Sequence, residues 1–182
     1  MKKRSIWWDL FKSIVIAFFI VFIIQKWVLK PVKIVGQSMY PTLYNGEVGF
    51  SNILSRNFTD FERFDVIIVE QPDSADLLVK RVVGLPNEII EYRDDLLYVD
   101  GTVVSEPHLE SSYKQEFIET RQQNFTNDFG PILLGEDQYY LLGDNRPYSR
   151  DSRFYGAFNS KTIVSKSVYV ILPFENLRVI PE

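Results

Sequence analysis

The sequence of 182 residues contains no cysteine and a single histidine, His108. Disulfide bonds and thiolate metal sites are therefore excluded, and one imidazole is too few for a histidine-based metal centre. We expect neither a bound metal nor a cofactor. His108 follows Pro107 in an acidic, polar stretch, where a solvated loop side chain is expected.

Long apolar runs are also scarce. Every residue from 14 to 24 is apolar, and the uncharged segment between Lys12 and Lys26 is 13 residues long. This is short for a helix that crosses a bilayer, but lysines at both ends can extend their charged groups to the interfaces. All three tryptophans flank the run, as in the aromatic belts of membrane proteins. We predict one spanning helix, at roughly residues 8 to 29, and we expect Pro31 to end it.

A cleaved signal peptide and a buried core helix are the two alternatives for this run. No pair of small residues spaced for cleavage follows Ile24, which favours an uncleaved anchor. Residues 1–33 carry seven basic and one acidic side chain, whereas the remaining 149 residues carry thirteen basic and twenty-three acidic ones. Four of the seven basic residues precede the run, so the positive-inside rule slightly favours a cytoplasmic N-terminus and an extracytoplasmic remainder.

Ser38 lies in a polar turn shortly after the apolar run. Gly36 removes a Cβ two residues upstream and lets another backbone approach, and Pro41 fixes φ just after the serine. A serine in a loop is usually a turn former or a helix cap, but a stiff, accessible turn can also present a nucleophile. Residues 32–36 are predicted to form a short strand that leads directly into Ser38.

Lys80 belongs to a β-type segment, residues 77–83, whose alternation places it on one face with Leu78 and Val82. One interpretation is an edge strand protected by a charge. The other is a desolvated lysine, because burial among apolar side chains lowers the pKa of an amine and lets it take a proton from a hydroxyl. Further strands are predicted at residues 47–54, 65–70, 138–142, 162–172 and 177–180.

Residues 87–137 hold twelve acidic and three basic side chains, whereas the rest of the chain after residue 33 holds eleven and ten. This shift in composition marks an insert. Strands are predicted at residues 88–92, 96–99 and 102–104, with an Asp-Gly turn between the last two, and the remainder is predicted to be polar loop. Ser111 and Lys114 match the S-x-x-K pattern of penicillin-recognising enzymes, but the companion S-D-N and K-T-G elements are missing, so we treat the match as chance.

Residues 143–153 read G-D-N-R-P-Y-S-R-D-S-R, a segment dense in turn formers and in complementary charge. One interpretation is a solvated surface loop held by local ion pairs. The three arginines also suggest phosphate or nucleic acid, but the acidic balance of the chain after the apolar run argues against a nucleic-acid partner.

Three segments follow the apolar run in a fixed order: S-M-Y-P-T-L at residues 38–43, K-R-V-V-G-L-P at residues 80–86, and the segment 143–153. Together they resemble type I signal peptidase in its short Gram-positive bacterial form, over nearly the whole chain. The resemblance implies a mostly β fold of the signal peptidase/LexA-like type, with one N-terminal transmembrane helix. It also implies three parts: an anchor at 1–30, a catalytic β domain at 31–86 plus 138–182, and an inserted β module at 87–137.

By this resemblance the chain is a membrane-anchored serine endopeptidase that removes signal peptides from secreted preproteins at A-x-A-type sites. The lipid bilayer and secretory preproteins are its expected partners, and the catalytic domain lies outside the cytoplasm. Ser38 would be the nucleophile and Lys80 the general base, with Ser149 orienting the lysine amine. Salt bridges would hold the active-site frame through Asp144, Asp151, Arg153 and Arg81, with Arg81 as the partner of Asp144.

Gly36 is a departure from some relatives, which carry a serine two residues before the nucleophile as a donor to the oxyanion hole. Backbone N–H groups of Ser38 and near Gly36 would serve here instead. The substrate would bind as an added strand, with two small side chains in shallow apolar pockets. The residues expected to bind it are Val32, Ile34, Val35, Leu78 and Val79.

Two other classes of protein are alternatives. Self-cleaving repressors share the serine and lysine chemistry, but the apolar run and the lack of a DNA-binding helical domain count against them. The second is a membrane-anchored binding module without catalytic activity. The presence of Ser38, Lys80 and Ser149 together counts against it.

Overall fold

The computed structural model describes residues 6–54, 60–72, 74 and 76–180. Its first element is the helix α1, Ile6–Trp27. Within the described residues, α1 is the one helix long and apolar enough to cross a membrane, and none of its apolar segment is buried by the rest of the protein. The alternative of a buried core helix is therefore wrong. The basic residues before Ile6, on which the predicted orientation partly depends, lie outside the described residues.

The larger sheet has eight antiparallel strands in the order β1-β2-β11-β3-β4-β9-β10, with β12 paired to β11. These strands are β1 (Leu29–Lys33), β2 (Val48–Asn52), β3 (Val66–Glu70), β4 (Leu77–Gly84), β9 (Gln138–Leu142), β10 (Phe158–Asn159), β11 (Ile163–Leu172) and β12 (Arg178–Val179). All but β1 and β10 follow the predicted strands within one or two residues.

Strand β1 corrects two predictions. The helix ends at Trp27 and not near residue 29, and the strand occupies Leu29–Lys33 and not residues 32–36. Pro31 lies inside this strand, opposite Phe50 of β2. Because β1 is at the edge of the sheet, a residue without an N–H is tolerated there. Pro31 therefore does not end the helix, as we had expected, but is the third of the five residues of an edge strand.

The smaller sheet has the order β7-β6-β5-β8. Its strands are β5 (Ile89–Arg93), β6 (Leu96–Val99), β7 (Thr102–Val104) and β8 (Phe129–Leu133), and the helix α2 (Ser112–Arg121) lies between β7 and β8 in the chain. A further short helix, α3, covers Ser152–Tyr155. All elements of the smaller sheet come from the chain between β4 and β9, although the domain limits given above stay a prediction.

The polar part of the insert was predicted to be loop, and that prediction was wrong, because it contains α2 and β8. Helix α2 buries no side chain fully, so it has no apolar periodicity that the sequence could reveal. Its N-cap is Ser111, whose hydroxyl accepts a hydrogen bond from Lys114 N–H at 3.3 Å. The S-x-x-K match is therefore a helix cap, in keeping with its treatment as chance.

Strand β3 passes through the centre of the larger sheet and is buried on both faces. Val66 and Ile68 pack into one apolar cluster with Met39 and Leu43, and Ile67 packs into another on the opposite face. The unbroken apolar run of this strand predicted this burial, which is confirmed. A third cluster joins the two sheets, since it combines side chains of both: Val83, Tyr140 and Leu142 with Ile90, Tyr92 and Leu97.

The close pairing of β2 with β11 generates a stability prediction at Gly49. A Cβ there would lie 2.1 Å from the carbonyl oxygen of Tyr169 on β11. Gly49→Ala must therefore push the two strands apart, and we expect the free energy of unfolding to fall by about 3 kcal/mol. Thermal unfolding of the detergent-solubilised chain measures this loss.

Gly135→Ala is the matched control, because a Cβ at Gly135 would first meet a side-chain atom of Gln138, at 3.2 Å. That side chain is exposed and can move aside. An unfolding midpoint for Gly49→Ala equal to that of Gly135→Ala would contradict the pairing of β2 with β11.

Candidate active site

Ser38 and Lys80, 42 residues apart in the chain, are in direct contact. Lys80 Nζ donates a hydrogen bond to Ser38 Oγ at 2.8 Å. Strand β4 carries the lysine, and its alternation directs this side chain to the face that the Ser38 turn covers. Lys80 is only 2% exposed, so it does not serve as a solvated charge that protects a strand edge. The interpretation as a desolvated lysine fits the structure.

Burial lowers the pKa of Lys80 from 10.5 to about 8. The carboxylates of Asp151 and Asp144 act in the opposite direction, and the charge of Arg153 adds to the lowering. Neither carboxylate is close enough to form a salt bridge with the amine. A neutral amine is therefore accessible near neutral pH, in contact with a serine hydroxyl.

Asp144 is fully buried and joins the three motif segments. Its carboxylate accepts hydrogen bonds from Arg81 Nε at 2.8 Å and Arg81 Nη2 at 2.7 Å, and a third from the hydroxyl of Thr42. Burial alone would raise the pKa of Asp144, but the hydrogen bonds and charge of Arg81 outweigh it and hold this pKa below its ordinary value. The expected pair of Arg81 with Asp144 is thus formed.

A second pair holds the loop from residue 143 to 153 closed. Asp151 accepts from Arg153 Nε at 2.9 Å and Nη2 at 2.8 Å, and also from the N–H groups of Gly143 at 3.1 Å and of Arg153 at 3.2 Å. Burial raises the pKa of Asp151, and the hydrogen bonds and charge of Arg153 lower it by more, so the carboxylate stays ionised. The loop is therefore fixed by buried pairs and is not a solvated surface loop.

Arg146 is 1% exposed and contacts the insert, where its guanidinium pairs with Glu106 and also bonds Tyr92. Its Nε donates to the carbonyl of Gly143 at 3.1 Å. Both Arg146 and Arg153 are thus paired within the protein, whereas the third arginine of this segment, Arg150, is exposed. Because Glu106 lies 40 residues away in the chain, no local pattern could have predicted this contact.

Ser149 and Gly36 behave differently from the expectations for them. Ser149 Oγ is buried but makes no hydrogen bond to Lys80, so its role in orienting the amine stays a prediction. Gly36 has a φ of +92°, which favours glycine, and its N–H donates to Asn45 Oδ1 at 3.0 Å. The Gly36 N–H is therefore not free to serve an oxyanion hole.

His108 was expected to be a solvated loop side chain, and this was wrong. Its side chain is 13% exposed, with Nε2 lying 4.0 Å from Asp144 Oδ1, and its ring is 5.0 Å from that of Phe64. Burial and the charge of Arg81 lower the pKa of His108 to about 3, so the imidazole is neutral at neutral pH. Sequence reasoning missed this because the contacts of His108 come from distant segments and not from its polar neighbours.

A cavity of about 540 Å³ adjoins the serine and the lysine. One wall comes from β1 and the residues after it, and the other from the first half of β4. A second cavity of about 590 Å³ contains none of the predicted site residues. The first cavity brings together all five residues expected to bind substrate: Val32, Ile34, Val35, Leu78 and Val79.

Asn145 and Tyr113 are further site residues that sequence reasoning did not single out. Asn145 contacts the backbone of the turn at Gln37 and Ser38, and Tyr113 of α2 contacts Asn145. Among the residues that the structure describes, no group of three or more histidine or acidic side chains could hold a metal ion. The site is thus built from hydrogen-bonding and charged protein groups.

Comparison with known proteins places the chain among peptidases. A family model described as signal peptidase, peptidase S26, matches residues 7–172. Signal peptidase I S of Bacillus subtilis (strain 168) is 37% identical over 181 residues, which cover 97% of this chain and 95% of that protein. Signal peptidase IB of Staphylococcus aureus is 34% identical over 184 residues, covering 98% and 95%. The crystal structure of a signal peptidase I from Enterococcus faecalis V583 has a TM-score of 0.54 and 36% identity, and covers 59% of this chain and 97% of that one.

The lowered pKa of Lys80 generates a prediction on stability. Between pH 8 and 10.5 the unfolded chain binds more protons at this residue than the folded chain does, so the free energy of unfolding rises with pH in that window. We expect Lys80→Met to be more stable than the wild type at pH 7 by about 3 kcal/mol, and the difference to vanish above pH 10.5. Thermal unfolding in detergent at several pH values measures both quantities.

The control is Lys161→Met, which makes the same change at an exposed lysine and should leave the unfolding midpoint close to that of the wild type. A Lys80→Met variant that is less stable than the wild type at pH 7 would show that the ammonium is not desolvated.

Proposed function

The chain belongs to the signal peptidase family, peptidase S26, whose serine peptidases remove signal peptides, and from this premise we propose that Ser38 and Lys80 perform the cleavage. The observation that carries the proposal is the 2.8 Å hydrogen bond between Lys80 Nζ and Ser38 Oγ, made by a buried lysine whose pKa is about 8. A nucleophile and a base within hydrogen-bonding distance are what acyl transfer requires.

In the first half of the reaction, the neutral amine of Lys80 takes the proton of the Ser38 hydroxyl as Oγ attacks the scissile carbonyl carbon. The oxyanion that forms accepts a hydrogen bond from the Ser38 N–H. The carbon–nitrogen bond then breaks, and the ammonium of Lys80 gives its proton to the departing amine of the mature protein. The signal peptide remains as an ester on Ser38.

In the second half, a water molecule replaces the departed amine. Lys80, neutral again, takes a proton from this water as its oxygen attacks the ester carbon, and the proton is then returned to Ser38 Oγ. The products are a signal peptide with a free carboxylate and the regenerated serine. The reaction is thus complete with one base, which must be neutral at the start of each half.

We propose that the signal peptide binds as an extra strand on β4. Pairing of β4 with β9 begins at Arg81, so its first half, Leu77–Lys80, pairs only with β3 among the described strands. That half borders the 540 Å³ cavity, whose lining is mainly apolar side chains. Alternate side chains of an added strand would enter this cavity, which supports a preference for small apolar residues of the A-x-A type.

We also propose that α1 anchors the chain with a cytoplasmic N-terminus. The exposed apolar side chains of α1 support the anchor, and the slight basic excess before the apolar run supports the orientation. The sheets, which follow the helix directly, would then lie at the outer surface of the membrane, where secreted preproteins emerge.

Removal of either member of the Ser38–Lys80 pair tests the proposal. Ser38→Ala and Lys80→Ala should each reduce cleavage of a synthetic preprotein to background, as measured by mass spectrometry after incubation with the purified full chain. Lys80→Arg should be equally inactive, because a guanidinium keeps its proton at any working pH. The wild-type kcat/KM should rise with pH up to an acid-limb pKa of about 8, since the neutral amine is the active form.

Ser105→Ala and Lys161→Ala, at exposed positions that do not line the 540 Å³ cavity, are the matched controls and should cleave at the wild-type rate. Substantial turnover by a folded Ser38→Ala or Lys80→Arg variant would reject the assignment of nucleophile or base.

Protease digestion of intact protoplasts tests the orientation. We expect the segment after residue 30 to be degraded and residues 1–7 to be protected, because the helix would place them on opposite sides of the membrane. Antibodies to each end of the chain detect the fragments. Complete protection of the C-terminal segment in intact protoplasts, with digestion after lysis, would reverse the proposed orientation.

A further inference from the structure

Asn145 holds two consecutive carbonyl groups of the turn that carries Ser38. Its backbone N–H donates to the carbonyl of Ser38 at 3.0 Å, and its side-chain Nδ2 donates to the carbonyl of Gln37 at 2.9 Å. Asn145 is 1% exposed, so these bonds are shielded from competing water. Asn145 thus holds the backbone on both sides of the Ser38 nitrogen, and the N–H of Tyr40 donates a second hydrogen bond to the Gln37 carbonyl at 3.1 Å.

Tyr113 fixes the direction of the Asn145 amide. Its hydroxyl donates to Asn145 Oδ1 at 2.9 Å, which leaves Nδ2 facing the carbonyl of Gln37. The tyrosine ring is itself held edge-on by two others, with centroids 4.8 Å from Tyr40 and 5.8 Å from Phe125. Since Tyr113 lies on α2, the insert reaches the nucleophile turn through this hydroxyl.

The carbonyl of Gln37 and the N–H of Ser38 belong to one peptide unit. In a planar trans peptide these two groups point in opposite directions. Drawing the Gln37 oxygen toward Asn145 therefore turns the Ser38 N–H to the opposite side. Within the part of the chain that the structure describes, this N–H donates no backbone hydrogen bond, so it is available to a substrate.

We infer that Tyr113 and Asn145 are positioning residues that set the orientation of the Ser38 N–H for the oxyanion. The inference rests on the proposed peptidase function. It assigns to the insert, through Tyr113, a part in orienting the Ser38 N–H. Stabilisation of the oxyanion depends more on the Ser38 N–H here, because the N–H of Gly36 already donates a hydrogen bond to Asn45. A donor that is aimed before the reaction stabilises the oxyanion without reorganising during it.

The first test is Tyr113→Phe, which removes one hydroxyl and keeps the ring that packs against Tyr40. Loss of an oxyanion donor lowers kcat by about 100-fold or more, and a donor that is only loosened should cost less, about tenfold. KM should change by less than about twofold, because the oxyanion exists only after binding. The acid-limb pKa should not move, since the contacts of Lys80 are intact.

Tyr98→Phe is the matched control. It makes the same change on β6 of the smaller sheet, where the Tyr98 ring lies 4.5 Å from the guanidinium of Arg93 and not at the turn. We expect its kcat and KM to equal those of the wild type. An equal loss of kcat in Tyr98→Phe and Tyr113→Phe would show a general effect on the insert and would overturn the inference.

A double-mutant cycle tests whether the two residues act in series. Asn145→Ala should lower kcat by about 100-fold, and adding Tyr113→Phe to it should lower kcat no further. Asn145→Asp keeps an acceptor for Tyr113 but has no donor for the Gln37 carbonyl, so it should lose as much as Asn145→Ala. Additive losses, or losses that fall on KM instead of kcat, would contradict the inference.

The resonance of the Ser38 amide in ¹⁵N–¹H spectra gives a readout that needs no substrate. We expect it to shift in Tyr113→Phe and Asn145→Ala and to stay in place in Tyr98→Phe. An unmoved resonance overturns the inference even if cleavage is never detected. Absence of cleavage by the wild type would instead reject the proposed function, so the two failures are distinguishable.

Discussion

The buried ion pair between Arg81 and Asp144 is the contact through which the site is assembled. It joins β4 to the loop after β9, and the bond from Thr42 to the same carboxylate adds the turn that carries Ser38. Asp144 has no solvent exposure and Arg81 is 4% exposed, so removal of either partner would leave an uncompensated charge, at a cost of about 4 kcal/mol. The positions of Ser38 and Lys80, the proposed nucleophile and base, therefore depend on a pair that has no role in the proposed proton transfer.

The same pairing explains how Lys80 loses its proton beside carboxylates. Lys80 and Arg81 are neighbours on β4 and point to opposite faces, so the arginine reaches Asp144 and the lysine reaches Ser38. Asp144 is bound by Arg81 and Asp151 by Arg153, and each carboxylate already has a cation. Their attraction for the Lys80 ammonium is thus too weak to offset its burial, and the amine titrates near pH 8.

A structural feature can be predicted from the sequence only where it produces a pattern among neighbouring residues of the chain. Strand β4 and its lysine were found because alternation with apolar residues is visible in the chain, and the family motifs then connected Lys80 to Ser38. Helix α2 was missed because it has no apolar face, and the predicted bounds of β1 were wrong because a proline such as Pro31 favours a helix end over a strand. The contact of Tyr113 with Asn145 spans 32 residues and has no sequence signature, so it required the structure.

The junction between α1 and β1 fixes the distance between the end of the helix and Ser38. A single residue, Val28, separates them, and it is held on both sides, by Ile24 at 2.8 Å and by the N–H of Ile53 at 2.9 Å. If α1 is anchored as proposed, the five residues of β1 span about 16 Å between the end of the helix and the segment that leads to Ser38. A signal peptide that lies beside β1 must cover the same distance in extended form. This requires about five residues between the end of its apolar segment and the bond that is cleaved. Preproteins whose cleavable bond lies nearer to that segment would not reach Ser38, whatever their side chains.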